Sequence, residues 1–161
     1  MSEYSINGDG VILGRLASKS AKLLLEGNQV NIFNAEKVVM SGHLKDIVLK
    51  YKVKVELKDK ANPEHSPYVS RRPDLFVKRV VRGMLPYRQP KGKNAFKNLK
   101  VYMGVPEGMT ESPKMDIKRG EEVYENLITI KTLSEKLEAA GCKIVDVESI
   151  MKNNNVRMIV W

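Results

Sequence analysis

The sequence predicts an α/β fold formed as one domain and carrying a basic helix-loop-helix segment. Three observations lead there. A strand-helix-strand pattern runs from residue 11 to residue 34, and two amphipathic helical patterns with a proline-bracketed break between them occupy residues 71 to 100. A further strand and helix follow near residue 130. At 161 residues the chain is long enough for one sizeable core, whereas two full domains would be cramped.

After Gly8-Asp9-Gly10, the apolar run Val11-Ile12-Leu13 reads as a short strand. Leu13, Leu16, Ala17, Ser20, Ala21 and Leu24 then follow the i, i+3, i+4, i+7 spacing of a helix with one apolar face. Gly27-Asn28 ends it, since both residue types tolerate the left-handed backbone of a helix C-cap. Residues 29–34 (QVNIFN) read as a second strand with Val30 and Ile32 on one face. The tight joins predict a right-handed parallel crossover between the two strands.

From Ser41 two patterns compete. Leu44, Ile47, Val48, Tyr51 and Val55 suit a helix, whereas Tyr51, Val53, Val55 and Leu57 alternating with lysines suit a strand. The longer pattern favours the helix. Residues 62–67, with two prolines and several turn formers, read as a loop. Pro73 then suits the first turn of a helix, with Val77, Val80, Val81, Met84 and Leu85 as its buried stripe and Lys78, Arg79 and Arg82 outside it. Residues 86–92 (PYRQPKG) must break that helix. A second helix follows, with Phe96, Leu99 and Met103 on one side and Lys93, Lys97 and Lys100 on the next.

Residues 104–120 are rich in turn formers, and residues 127–130 read as a strand. Thr132-Leu133-Ser134-Glu135 has capping-box spacing and predicts the start of a helix ending near Gly141. Residues 153–155 read as a turn and 156–161 as a last strand. No internal repeat or low-complexity tract occurs.

Net charge is +9, and its location says more than its size. Residues 71–100 hold ten of the 28 basic residues and one of the 19 acidic ones, Asp74, which leaves eighteen of each sign elsewhere. The ten are Arg71, Arg72, Lys78, Arg79, Arg82, Arg88, Lys91, Lys93, Lys97 and Lys100. A solvated helix face normally mixes signs, so this block points to a polyanionic partner. Arginine grips phosphate with a two-pronged fork, and lysine adds a mobile point charge. Arg15, Lys19 and Lys22 add a smaller row at i, i+4, i+7 on the first helix. Tyr87 and Phe96 are both candidates to stack on bases, though Phe96 is better explained as core.

Other chemistries find little support. No apolar run approaches the ~20 residues of a membrane-spanning helix. The start Met1-Ser2-Glu3-Tyr4 does not resemble a signal peptide. One cysteine, Cys142, allows neither an internal disulfide nor a multi-cysteine metal site, which suits a reducing cytoplasm. His43 and His65 lack a metal-ligand pattern around them. Gly8, Gly10 and Gly14 have the wrong spacing for a dinucleotide fingerprint, and ordinary turn glycines explain them better. No cofactor, metal or small-molecule substrate is expected.

Four motifs carry a family resemblance: Leu13-Gly14-Arg15-Leu16-Ala17-Ser18, Asn34-Ala35-Glu36-Lys37-Val38, Arg82-Gly83-Met84-Leu85-Pro86, and Lys100-Val101-Tyr102-Met103-Gly104-Val105-Pro106. In this order they resemble the universal large-subunit ribosomal protein family numbered thirteen, over roughly residues 8–108. The basic linker Arg88-Gln89-Pro90-Lys91-Gly92-Lys93, and the lack of a long basic C-terminal extension, make the archaeal form the best match. The part from 109 to 161 matches less well. The resemblance implies a three-layer α/β/α domain around a short, mostly parallel sheet. It also implies binding to large-subunit ribosomal RNA, a role in subunit assembly, neighbouring ribosomal proteins as partners, and no catalysis. RNA contacts would fall around Gly83 and the basic residues on either side.

Two rival readings make different demands. A nucleic-acid-processing enzyme needs an acidic or histidine cluster facing the basic segment. A DNA-binding regulator using residues 74–85 in the major groove needs Asn or Gln on the exposed face, where the sequence places Lys78, Arg79 and Arg82.

Overall fold

The computed structural model describes residues 2–66, 70–106 and 126–139. Cys142, most of the turn-rich stretch after Gly104, the helix end near Gly141, the turn at 153–155 and the strand at 156–161 lie outside the described residues.

The first strand is Glu3–Asn7 (β1), ahead of the run expected to form it. Val11, Ile12 and Leu13 are buried, but not as a strand: Val11 accepts a 3.0 Å bond from Val39 N–H, Ile12 makes an isolated bridge to Val39, and Leu13 already opens a helix. Their apolarity answers to burial at a turn, which short apolar runs do not distinguish from a strand. Helix α1, Leu13–Leu25, buries Leu13, Leu16, Ala17, Ser20, Ala21, Leu23 and Leu24, and the chain leaves it through Gly27 at φ 90°.

Strand β2, Gln29–Phe33, runs parallel to β1 in the register Tyr4↔Val30 and Ile6↔Ile32. The connection is therefore parallel, although its first strand lies upstream of the expected run. On its other edge β2 pairs in parallel with β4, Leu99–Val101, so the sheet order is β1-β2-β4 and β2 lies in the middle. Val30 and Ile32 are fully buried on one face. Asn31, on the other, is only 2% exposed and donates from Nδ2 to Glu3 Oε1 at 2.5 Å, which satisfies the buried amide. Gly8 fits where β1 ends against β2: its N–H donates to Phe33 O at 2.9 Å, and a Cβ there would meet Val38 Cγ2 at 2.7 Å. That glycine serves backbone packing, as an ordinary turn residue does.

A short 3-10 turn, Ala35–Lys37, leads to β3, Val39–Ser41, which pairs antiparallel with β5, Leu127–Thr129. Between them α2, Leu44–Glu56, settles the competition at Ser41 in favour of a helix. Its inner side packs Ile47, Val48 and Tyr51 on the core, with the Tyr51 ring edge-on to Phe76 at 5.0 Å. That burial raises the Tyr51 hydroxyl above its ordinary pKa. Val53 and Leu57, which a strand pattern would have grouped with Tyr51, are exposed.

The two basic helices are α3, Pro73–Met84, and α4, Pro90–Lys97. The last described helix, α5, spans Ile130–Ala139 and starts earlier than the Thr132 box predicts. Thr129 Oγ1 accepts from Thr132 N–H at 3.3 Å and caps the helix instead. Thr132 to Glu135 lie inside α5, where the Ser134 hydroxyl reaches Ile130 O and Arg71 O, each at 3.0 Å.

The core joins Ile6, Val30, Ile32 and Leu99 of the sheet to Leu16 and Leu24 of α1, Val77 and Val81 of α3, and Leu133 of α5. No helix among the described residues is long and apolar enough to cross a membrane. Among the same residues, no group of His, Cys, Asp and Glu is placed to hold a metal ion.

Candidate nucleic-acid interface

Helix α3 places the first part of the charge. Pro73 stands at its start, where a missing N–H costs nothing. Phe76, Val77, Val81 and Leu85 are buried and Val80 is half-buried. Met84, expected in the same stripe, is 43% exposed because the helix ends there and turns its last side chain outward. With Ser18, Ala21, Lys22, Leu25 and Glu26 it lines a shallow groove between α1 and the end of α3. Arg79, Arg82 and Gly83 are exposed and Lys78 is half-buried.

The break is shorter than expected. Hydrogen bonds from Leu85 N–H to Arg82 O (3.2 Å), Tyr87 N–H to Leu85 O (2.7 Å) and Gln89 N–H to Pro86 O (3.0 Å) fold residues 85–89 into a tight link. Helix α4 then begins at Pro90, because proline suits a first turn, and Gly92 lies inside it. A Cβ on Gly92 would collide with the Pro86 carbonyl and come within 2.9 Å of Tyr87 N, so α4 lies directly against the link.

The helix also ends sooner. Lys93 and Lys97 are on α4, but Leu99 and Lys100 belong to β4 and Met103 follows it. Alternation along β4 puts exposed Lys100 on the sheet face opposite buried Leu99. The structure therefore separates Lys100 from the lysines it was expected to accompany. Hydrogen bonding to β2, through Val30↔Leu99 and Ile32↔Val101, overrode the helical spacing.

Arg71 and Arg72 precede α3, roughly 15 Å along the helix axis from Arg82. The Arg72 guanidinium grips Asp74 with two bonds, Nη2 to Oδ2 at 2.6 Å and Nε to Oδ1 at 3.1 Å. Its charge is thus matched within the chain. Arg88 in the link and Lys91 on α4 are exposed. On α1, Arg15 and Lys22 are exposed and Lys19 is half-buried, and α1 packs against both α3 and α4. Lys78, Arg79, Arg82, Gly83, Arg88, Lys91, Lys93, Lys97 and the α1 row are therefore carried by elements packed on one another, while Arg71, Arg72 and Lys100 stand apart.

One set of contacts escaped the sequence reading. The Lys78 ammonium lies over the Phe96 ring at 5.4 Å, Phe96 meets Tyr87 nearly perpendicularly (88°, centroids 5.4 Å apart), and the Arg82 guanidinium lies over Tyr87 at 5.0 Å. Only the four-residue spacing of Lys78 and Arg82 was readable in advance, as it puts both on one side of α3.

Two of the family motifs clamp each other. Asn34 N–H donates to Gly104 O (3.2 Å), Ala35 N–H to Tyr102 O (3.1 Å), and Gly104 N–H to Glu36 Oε2 (3.1 Å). Tyr102 also stacks on Phe33, with centroids 5.6 Å apart. Burial first, and then the Glu3 charge, push the Tyr102 hydroxyl above its ordinary pKa.

The model of the family described as ribosomal protein L13 matches residues 2–108. A large ribosomal subunit protein uL13 of Methanocaldococcus jannaschii is 44% identical over 135 residues, covering 83% of this chain and 96% of the relative. The protein of the same name from Methanococcus maripaludis is 41% identical over 139 residues, covering 86% and 97%. That of Methanococcoides burtonii is 48% identical over 101 residues, covering 63% and 70%. With a family match that spans about two thirds of its length and this identity to archaeal relatives across most of both chains, the chain belongs to the ribosomal protein L13 family in its archaeal form.

Proposed function

We propose that the chain is a structural constituent of the large ribosomal subunit in the cytoplasm, where it binds large-subunit ribosomal RNA and supports subunit assembly. The observation that carries this reading is the concentration of exposed cations on α1, α3, the link and α4, elements that pack together, in a chain whose family is one of ribosomal proteins. Phosphate contacts from Lys78, Arg79, Arg82, Arg88, Lys91, Lys93 and Lys97, joined by Arg15, Lys19 and Lys22, supply most of the affinity. Arg71, Arg72 and Lys100 contact RNA only where it extends past this face.

Specificity comes mainly from matching the shape of a folded RNA. Bases inside an A-form helix are poorly accessible to side chains in the deep groove, whereas backbone geometry is fully displayed. Exposed Gly83 supports this. A Cβ there would meet nothing within 4 Å, so the chain's own packing does not require the missing side chain. A bare helix surface beside Arg82 lets a sugar-phosphate backbone approach closely.

Neighbouring ribosomal proteins complete the environment, and the chain takes no catalytic part. Sedimentation of tagged chain with large subunits tests the assignment. The expected result is co-migration with the large subunit that survives moderate salt and ends when the RNA is digested. A tagged chain that stays at the top of the gradient would refute it.

A further inference from the structure

We propose that Tyr87 and Phe96 are positioning residues for the RNA-binding cations, holding Arg82 and Lys78 ready for phosphate rather than meeting the RNA themselves. The proposal rests on the RNA-binding reading above and adds a role that charge alone does not supply.

Lys78 and Arg82 are one helical turn apart on α3, and a free lysine or arginine in that position samples many rotamers. Binding a phosphate then costs the entropy of immobilising each side chain. In this chain both cations already lie over aromatic rings, at 5.4 Å and 5.0 Å, within the range of a cation–π attraction. The two rings brace each other edge to face, the geometry that aromatic quadrupoles favour. The result is one continuous row, Lys78, Phe96, Tyr87, Arg82, that joins α3, the link and α4.

The row is fixed at its far side by backbone. Tyr87 N–H donates to Leu85 O at 2.7 Å, and Gly92 lets α4 lie against Pro86 and Tyr87 with no room for a side chain between them. The rings are thus held by the chain, and the cations are held by the rings.

The arrangement is compatible with phosphate binding. A guanidinium stacked on a ring uses its flat face, and its N–H donors point outward in the plane where a phosphate fork forms. An ammonium over a ring keeps donors directed away from it. Both cations can therefore bind RNA without leaving their rings.

A double-mutant cycle tests this on the full chain, with a large-subunit RNA transcript as the probe and binding measured across a range of monovalent salt. Tyr87→Leu keeps every charge, so affinity should fall about three- to tenfold while the slope of log affinity against log salt stays at the wild-type value. Tyr87→Phe, which retains a ring face, should restore binding to within about twofold of wild type. Arg82→Gln should weaken binding and lower the slope by about 0.7 to 0.9. Tyr87→Leu added to Arg82→Gln should then cost little more, because the ring has no cation left to hold. Phe96→Leu with Lys78→Gln gives an independent second cycle, and thermal melts confirm that each variant is folded.

Losses that simply add, or a Tyr87→Leu variant that binds like wild type, would overturn the proposal. Additive loss would mean that the ring contacts RNA directly or serves folding only. Absence of salt-dependent binding by the wild-type chain would instead overturn the RNA reading, and this inference with it.

Discussion

Gly83 shows how a single residue can separate the demands of folding from those of binding. It stands near the end of α3, exposed, with open space where a Cβ would go. Alanine is favoured over glycine in a helix by about 0.5–1 kcal/mol, so Gly83→Ala should raise the melting temperature slightly or leave it unchanged. The same methyl group would stand between α3 and an approaching RNA backbone, so RNA affinity should fall. Opposite signs in a thermal melt and a binding titration are the expected outcome, and unchanged RNA affinity would show that no backbone comes close there.

At this scale the sequence revealed which residues are charged but not which charges are already matched. Arg72 and Arg82 look alike in the sequence. In the structure one is gripped by Asp74 at 2.6 Å and 3.1 Å, whereas the other lies over a tyrosine ring. A partner two residues away competes with any external phosphate for the same N–H donors.

Among the elements, α1, β2, α2 and α3 were legible because each carries a sustained apolar pattern of its own period. The misreadings fall where an element is short and held by distant partners. β1 has only Tyr4 and Ile6 as apolar residues, and its reason for being a strand is the parallel pairing with β2, about 26 residues away. β4 continued a helical lysine spacing until pairing with Val30 and Ile32 took Leu99 and Val101 into the sheet. The cap of α5 moved to Thr129 because β5 ends there, and a local Thr-x-x-Glu match could not register that.

The joint between α3 and α4 is the element-scale feature most exposed to test. The two prolines correctly announced a break, but the contact that sets the angle is made by Gly92, inside α4, against Pro86. Gly92→Ala should force the link and α4 apart and destabilise the fold by about 1–3 kcal/mol, the cost of inserting a methyl group where there is no space. Urea unfolding measures it. An alanine variant as stable as wild type would show that the close approach is relaxed in solution.

For the whole molecule, the positive excess is concentrated on elements that pack together, while the rest of the chain is neutral. The excess of +9 is confined to residues 71–100, and the fold adds the Arg15, Lys19, Lys22 row by laying α1 against α3 and α4. The concentration of charge could be seen in the sequence. Its shape could not, since which cations share a face depends on how α1, α3 and α4 pack. Packing withdrew Lys100 to the sheet's other face and left Arg71 and Arg72 at the distant end of α3.

That a rigid cationic face, rather than net charge alone, binds ribosomal RNA is tested most directly by the salt dependence of binding. Wild-type chain and the triple variant Arg79→Ala, Arg82→Ala, Arg88→Ala would be titrated against the same large-subunit RNA transcript at several salt concentrations. The triple variant should bind more weakly, with a slope of log affinity against log salt flattened by about 0.7 to 0.9 for each lost phosphate contact, or roughly two to three in all. A triple variant that binds more weakly at every salt concentration but keeps the wild-type slope would contradict it.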